Sequence, residues 1–309
     1  MIIVIAGPTG SGKTKLSIEL AKKFNGEIIN ADSTQVYKGL DIATAKVTEE
    51  EKENIVHHLI DIKEITEDYS VYDYQKDCRN AIEIIKNKNK TPIIVGGTGL
   101  YIKAALFNYQ FKEEIKYDYS NYNLDDLYNK LLKYEPNTSI HKNNRQRIER
   151  RLNFYENNNE ITTNKDELLY KDTIFIGLNV KRDVLYDKIN KRVDEMVNNG
   201  LLDEAKKIYL SNIRTKAINT PIGYKELFPY FENKCTLDTA LDNIKQQSRR
   251  YAKRQFTWFN HQLNLKWFDV NYDNFDETID SVIKYIREVV LWKEKTILIG
   301  MNTLWELLC

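Results

Sequence analysis

The sequence predicts an α/β protein: a parallel sheet flanked by helices and organised around a phosphate-binding P-loop, with a small all-helical insertion domain. Three observations predict it. Short apolar runs recur at 1–6, 27–31, 91–96 and 172–179. Three of them are continuous, as in parallel strands covered on both faces, and helical apolar spacing lies between them. The first run leads at once into Gly7-Pro-Thr-Gly-Ser-Gly-Lys13-Thr14, which fits G-x-x-x-x-G-K-[ST] in its strand, loop and helix context.

Taken in order, Met1–Ala6 is a buried strand, and the helix after the loop, 15–24, places Leu16, Ile18, Leu20, Ala21 and Phe24 largely on one side. Glu27–Ala31 is a second strand. Residues 72–87 have helical spacing at Tyr74, Cys78, Ala81, Ile82 and Ile85. Thr91–Gly96 is a third strand, ending in Gly96-Gly97-Thr98-Gly99 before a helix over 100–107. Residues 108–172 turn rich in Tyr, Asn, Lys and Glu, with amphipathic helices over 124–134 and 145–155, and are read as the insertion. A strand returns at 172–179. Helices follow over 182–197 and 201–209, with Gly200 as the stop between them, and a long helix runs over 239–259. The catalytic core is thus expected at 1–107 and 173–288. Residues 289–309 form an apolar tail that the spacing assigns to no element.

A hydrophobic content of 42% with 29% charged residues fits a soluble globular chain. Its net charge of +1 means that any nucleic-acid contact must come from local clustering, not a global field. Cys78, Cys235 and Cys309 are widely spaced, without metal-ligand spacing, which suits a reducing cytoplasm. No apolar run is long enough to span a bilayer.

The loop glycines let successive N–H groups turn inward, the following helix adds its positive N-terminus, Lys13 adds a full charge, and the Thr14 hydroxyl can ligate Mg²⁺. Residues just past strand ends face the ligand crevice of an open parallel sheet, so Asp32 and the Gly96–Gly99 turn converge on the same pocket. Asp32 fits a metal ligand or general base, and equally a helix cap or turn. The third strand ends without the acidic residue that nucleotide hydrolases place there, which argues against an ATPase. In the long helix, Lys245, Arg249, Arg250, Lys253 and Arg254 fall within about half the circumference, with no acidic residue among them. Such a stripe suits a phosphodiester backbone. Arg145, Arg147, Arg150 and Arg151 form a second basic cluster. His57-His58 has no partner at ligand spacing and reads as structural.

Taken together, these segments resemble the tRNA dimethylallyltransferases. The resemblance runs from about 1 to 268 through the phosphate loop, Asp32-Ser-Thr-Gln-Val-Tyr-Lys38, Gly39-Leu-Asp-Ile-Ala-Thr-Ala-Lys46, His57-His-Leu-Ile-Asp61, Tyr69-Ser-Val71, Gly96-Gly-Thr-Gly-Leu-Tyr101, Arg192-Val-Asp-Glu-Met196, Ile222-Gly-Tyr-Lys-Glu226 and the Ala252-Lys-Arg-Gln-Phe-Thr-Trp258 run. It implies a cytoplasmic, monomeric enzyme that moves a dimethylallyl group from dimethylallyl diphosphate to N6 of adenosine 37 in the tRNA anticodon arm. Gly7, Pro8, Thr9, Gly10, Ser11, Gly12, Lys13 and Thr14 would hold the diphosphate, with Mg²⁺ on Thr14. Asp32, Thr98, Lys13 and Arg192 would be catalytic. Asp32, Ser33, Thr34, Gln35, Thr98, Gln146, Arg147, Ile148, Glu149, Arg150, Arg249, Arg250, Lys253 and Arg254 would contact tRNA, with Gln35 helping to read the adenine; residues 220–225 and 253–260 would also meet the anticodon arm. The chain departs from the family pattern at Ala43 and Val47, where Gly and Pro are usual, and at Asn144, where Asp is common. An Arg usual after Phe111 has Lys116 as its nearest counterpart. An adenylate (AMP/ADP) isopentenyltransferase would need neither the insertion nor the basic helix. A P-loop small-molecule kinase would use 145–151 as its lid, and a catalytically silent RNA-binding protein would not need Lys13, Thr14, Asp32 and Thr98.

Overall fold

In the computed structural model, which describes residues 1–111, 115, 117–157 and 167–308 (293, 294 and 296–308 by backbone alone), the apolar runs form one parallel sheet. Lys116 and Cys309 lie outside the described residues. The strands are β1 (Ile2–Ala6), β2 (Gly26–Asn30), β3 (His57–His58), β4 (Thr91–Gly96), β5 (Thr173–Asn179) and β6 (Lys266–Asp269), in the order β3-β2-β4-β1-β5-β6. The register pairs Ala6 with both Gly96 and Gly177, and Asn30 with Val95. The C-terminal ends of β1, β2 and β4 are therefore level, which brings the three loops after them to one edge.

The helices are α1 (Lys13–Lys23), α2 (Val71–Asn87), α3 (Gly99–Leu106), α4 (Leu124–Tyr134), α5 (Arg145–Glu156), α6 (Arg182–Asn198), α7 (Leu201–Leu210), the single turns α8 (Lys216–Asn219) and α9 (Phe228–Phe231), then α10 (Leu237–Gln262) and α11 (Phe275–Leu308). Ser70 begins α2 with a reciprocal capping box to Asp73. Gly200 enters α7 at φ 97, so it serves as the cap of the second helix as well as the stop of the first. The long helix extends beyond 239–259 because the Thr236 side chain caps it by accepting from the Thr239 N–H.

Strand alternation divides the core between the two sheet faces. Val4, Ala6, Ile29 and Ile94 pack with α2, α3, α7 and α10. Ile3, Ile5, Ile28 and Ile93 pack with Leu16 and Leu20 of α1 and with Ile279, Val282 and Ile286 of α11. The apolar tail is accordingly not a separate piece: its backbone continues α11. The spacing of 279, 282 and 286 was the helical signal for it.

The chain divides into two compact units, Met1–Phe107 with Leu168–Cys309, and Asn108–Glu167. The return to the larger unit comes before 172, because Leu168 bridges to Phe107 and the Leu169 N–H donates to the Leu106 carbonyl. The smaller unit has its own core of Tyr119, Leu127, Leu131, Ile140, Ile148 and Leu152. Asn144 caps α5 by accepting from the Arg147 N–H, a role an Asp would fill equally.

His57 and His58 form the edge strand β3, and among the described residues no cluster of three or more His, Cys, Asp or Glu is able to hold a metal. His58 Nε2 instead lies 2.8 Å from the buried Glu27 carboxylate, which also receives Lys90 at 2.9 Å and Lys88 at 3.0 Å. Burial opposes ionisation of Glu27, but these three partners outweigh it and bring its pKa down to about 2. Because the folded-state pKa lies below the unfolded value, this contribution is complete above pH 4.5 and is lost as pH falls towards 2. We expect Glu27→Gln to lower stability at neutral pH and to flatten the fall in unfolding midpoint across that window in an acid denaturation series. A parallel slope in parent and variant would show that other carboxylates govern acid unfolding.

Candidate active site

β1 runs straight into the phosphate loop. Gly12 caps α1 in the left-handed region at φ 87, and a Cβ there would meet the Phe275 ring at 2.5 Å, so this position needs glycine twice over. Lys13 Nζ donates to the Pro8 carbonyl at 2.7 Å. Burial, and then the neighbouring Arg192, bring the Lys13 ammonium down to about 8, with Asp32 pulling the other way. Ser11 is fully buried, and its hydroxyl has no hydrogen-bond partner among the described residues. Arg192, from α6, donates to Thr9 Oγ1 at 3.0 Å, and burial lowers its pKa as well.

The loop after β2 carries Asp32. Its Oδ1 accepts from the Thr34 N–H at 3.0 Å and the Thr34 hydroxyl at 2.7 Å, while Oδ2 carries no hydrogen bond among the described residues. The turn reading of Asp32 therefore holds for one oxygen, which shapes the loop, and leaves the acceptor capacity of the other unused. Thr98 caps α3 and accepts from the Ser33 N–H at 3.0 Å, so its side chain fastens the β4 loop to the Asp32 loop. Gln35 Nε2 donates to the Thr44 and Ala45 carbonyls at 3.0 and 3.2 Å. That amide is engaged in holding the next loop rather than presented openly to a base.

Two cavities meet here. One, of about 390 Å³, is lined by residues 9–14, Gly96, Gly97, Lys188, Lys191 and Arg192. The other, of about 580 Å³, has an apolar side of Ile189, Val193, Met196, Pro221, Ile222 and Ile244. Both are lined by Thr9, Asp32, Thr44, Ala45 and Arg192, so the carboxylate stands at their junction.

The glycines of the β4 loop make room for α10, not only for a ligand. Gln255 is buried; its Oε1 accepts from the Thr9 N–H at 2.9 Å and its Nε2 donates to the Gly97 carbonyl at 3.0 Å. A Cβ on Gly97 would lie 2.1 Å from that Nε2, and one on Gly99 would lie 2.1 Å from the Trp258 ring. Gln255 was present in the sequence as part of Ala252-Lys-Arg-Gln, but a contact to RNA was the expected role for that neighbourhood.

The basic stripe is only partly free. Lys245 pairs with Asp194 at 2.6 Å and Arg249 donates to Asn190 at 2.5 Å, both partners lying on α6. The sequence of the helix does not show this, because the partners, one carboxylate and one neutral amide, come from another element. Arg250, Lys253 and Arg254 are exposed, and Arg254 lines the larger cavity. Of the residues on α5, Gln146, Arg147 and Arg150 are exposed. Ile148 is fully buried in the core of the smaller unit and so cannot serve as a contact. Glu149 is held by Arg145 at 2.7 Å, an i,i+4 pair.

Comparison with known proteins adds an independent line. The family model described as IPP transferase matches residues 35–262. A tRNA dimethylallyltransferase of Anoxybacillus flavithermus is 45% identical over 299 residues, covering 93% of this chain and 96% of the relative. That of Bacillus subtilis is 45% identical over 285 residues, covering 87% and 90%. Among solved structures, the full-length tRNA isopentenylpyrophosphate transferase from Bacillus halodurans is 40% identical with a TM-score of 0.74, covering 95% of this chain and 98% of that one. A eukaryotic dimethylallyltransferase acting on tRNA is 33% identical, also with a TM-score of 0.74, covering 87% and 73%.

The Gln255 amide yields a direct test. Gln255→Leu leaves the part-buried Thr9 N–H and the buried Gly97 carbonyl without partners, and should cost roughly 1–3 kcal/mol in denaturant unfolding. Gln255→Glu keeps the acceptor for Thr9 but sets a carboxylate oxygen against the Gly97 carbonyl, and should also destabilise. A change within about 0.5 kcal/mol for both variants would remove the clamp from this account.

Proposed function

This chain belongs to the IPP transferase family, and we propose that it transfers the dimethylallyl group of dimethylallyl diphosphate to N6 of adenosine 37 in tRNAs reading codons that begin with U, releasing diphosphate. The observation that carries the reading is the position of Asp32, whose unbonded Oδ2 belongs to a carboxylate at the junction of a phosphate-binding cavity and a larger, partly apolar one.

In this reading the diphosphate lies in the loop, against its N–H groups, Lys13 and Arg192. The allylic C–O bond breaks with its electron pair leaving on the diphosphate oxygen, and these donors stabilise that charge as it develops. The adenine N6 forms the new bond to the same carbon, and its proton passes to Asp32 Oδ2. Thr98 acts by holding the Asp32 loop in place. The apolar side of the larger cavity suits the dimethylallyl chain and the face of a base. A loop nucleotide enters such a cavity at a cost of only a few kcal/mol in unstacking.

Magnesium fits this donor set. Mg²⁺ takes most of its ligands from substrate phosphate and water, and needs no cage of carboxylates. Thr14, lining the phosphate cavity, would hold it, and when bound it neutralises charge on the departing diphosphate. We assign Arg250, Lys253 and Arg254 of α10 to tRNA backbone contacts, with Gln146, Arg147 and Arg150 of α5 as further contacts. No described helix is long and apolar enough to cross a membrane. We assign the chain to the cytoplasm as a monomer.

The test is transfer of label from dimethylallyl diphosphate to unmodified tRNA in the presence of Mg²⁺, mapped to adenosine 37. Label on free AMP but not on tRNA would identify an adenylate prenyltransferase, and ATP-dependent phosphorylation without transfer would identify a kinase. Asp32→Ala should abolish turnover while leaving tRNA affinity within about threefold, a split expected of a group acting in the transition state. Arg250→Ala with Lys253→Ala should weaken tRNA binding and reduce its salt slope by about 2, one per lost phosphate contact.

The pH profile follows from Lys13. Its ammonium is complete below about 8 and is lost as pH rises through that value. We expect kcat/KM for dimethylallyl diphosphate, which reports the free enzyme, to fall by about tenfold per pH unit above it. A profile flat to pH 10 would mean that Lys13 keeps its ordinary pKa or does not bind the donor.

A further inference from the structure

The wall shared by the two cavities is a loop that the site's own segment does not hold alone. Thr44 and Ala45 line both cavities. From one side they are held by Gln35, and by Lys46, which reaches the Tyr37 carbonyl, Asp41 and Asp61. From the other side a single carboxylate holds the loop. Glu204, in the first turn of α7, accepts from the N–H groups of Asp41 at 3.0 Å, Ile42 at 2.9 Å and Ala43 at 3.2 Å. The Tyr224 hydroxyl, on a fully buried side chain, donates to the same carboxylate at 2.8 Å. Three consecutive amides on one carboxylate make an anion-binding nest whose occupant is a side chain more than 160 residues away. The fit is close on this side: a Cβ on Gly223 would meet Ala43 Cβ at 2.8 Å.

We propose that Glu204 is a positioning residue for the transfer reaction: a latch that fixes the Asp41–Ala43 backbone and thereby sets the wall, Thr44 and Ala45, against which donor and acceptor are aligned. Glu204 lines neither cavity, so its effect must pass through the loop. A carboxylate is required because every partner is a donor. In either orientation the amide of a glutamine would set its NH₂ against backbone N–H groups, those of Asp41 and Ile42 or that of Ala43. Mispositioning a cavity wall acts on substrate alignment even though the chemistry is remote.

The proposal rests on the transfer reading for its kinetic arm, so two measurements are combined on the full chain. In Glu204→Gln, amide hydrogen exchange at Asp41, Ile42 and Ala43 should accelerate roughly ten- to hundredfold while α2 and β4 keep their protection. In the transfer assay, KM for dimethylallyl diphosphate should rise on the order of tenfold with kcat within about threefold. Glu204→Asp keeps the carboxylate on a shorter side chain and should show both effects, each smaller than in the glutamine variant. It also carries the test if the glutamine variant does not fold: faster loop exchange with a raised KM supports the latch. Unchanged loop exchange, or loss of protection spread evenly over the chain with KM unmoved, overturns it. A parent protein that transfers no dimethylallyl group sinks the transfer reading; the exchange measurement still decides whether Glu204 holds the loop.

Discussion

Everything at the site depends on a buried amide. Gln255 takes the Thr9 N–H with its oxygen and gives its own N–H to the Gly97 carbonyl, joining two loops that leave neighbouring strands. A terminal amide can accept and donate at once from one rigid plane, whereas a carboxylate only accepts and an ammonium only donates. Its burial makes both bonds matter, since either loop group left unpaired there would carry its full desolvation cost. Trp258, nearly one turn further along α10, lies over Gly99. The same helix thus sets the two loops with its inner residues and presents Arg250, Lys253 and Arg254 on its outer ones. A single element carries both the precision of the small-molecule site and the charge proposed for the polynucleotide.

The cations of the cavity follow a related logic. Lys13 and Arg192 are close enough for Arg192 to depress the Lys13 pKa, and neither has a carboxylate ion pair among the described residues. An anion between the loop and α6 would relieve their mutual repulsion, which is the electrostatic basis for the diphosphate site proposed above. Asp32 offsets part of that repulsion from across the cavity without bonding to either. Its two oxygens divide the work, one anchored by Thr34 and one left open, which keeps the carboxylate fixed in direction without exhausting its acceptor capacity.

How much of this was legible in the sequence depended on whether the signal was local. The strands β1 and β4 announced themselves because both faces are covered, so their residues are almost continuously apolar, and β2 was marked by its shorter Ile28-Ile29 pair. The phosphate loop and Asp32 could be placed at strand ends on the same ground. β3 and β6 were not legible: with two and four half-exposed residues they are strands by virtue of pairing with β2 and β5, which no local pattern records. The partners of Lys245 and Arg249 were hidden for the same reason, since Asp194 and Asn190 lie on a different helix. α11 has a readable pattern at 279, 282 and 286, whereas the residues beyond 288 are apolar in composition without the alternation of apolar and polar positions that marks a surface helix. Chemistry was less legible than fold. The loop pattern pointed only to a polyphosphate, and the proposal of an allylic diphosphate came from the ordered set of resemblances.

The glycine run after β4 illustrates what a motif does and does not say. Read locally, Gly96-Gly97-Thr98-Gly99 is a turn that allows close approach, without naming what approaches. In the fold, Gly96 lies against the Ala31 backbone, Gly97 against Gln255 and Gly99 against Trp258. Each glycine is therefore a meeting point between β4 and a different neighbour, and Thr98 between them reaches the Ser33 N–H. The run fixes where β2, β4 and α10 come together, and Asp32 lies two residues beyond the strand so fixed. A side chain at any of these glycines would first displace a protein neighbour, and only through that neighbour the ligand. The first constraint on these residues is the assembly of the site, and a local pattern that allows close approach does not say which neighbour approaches.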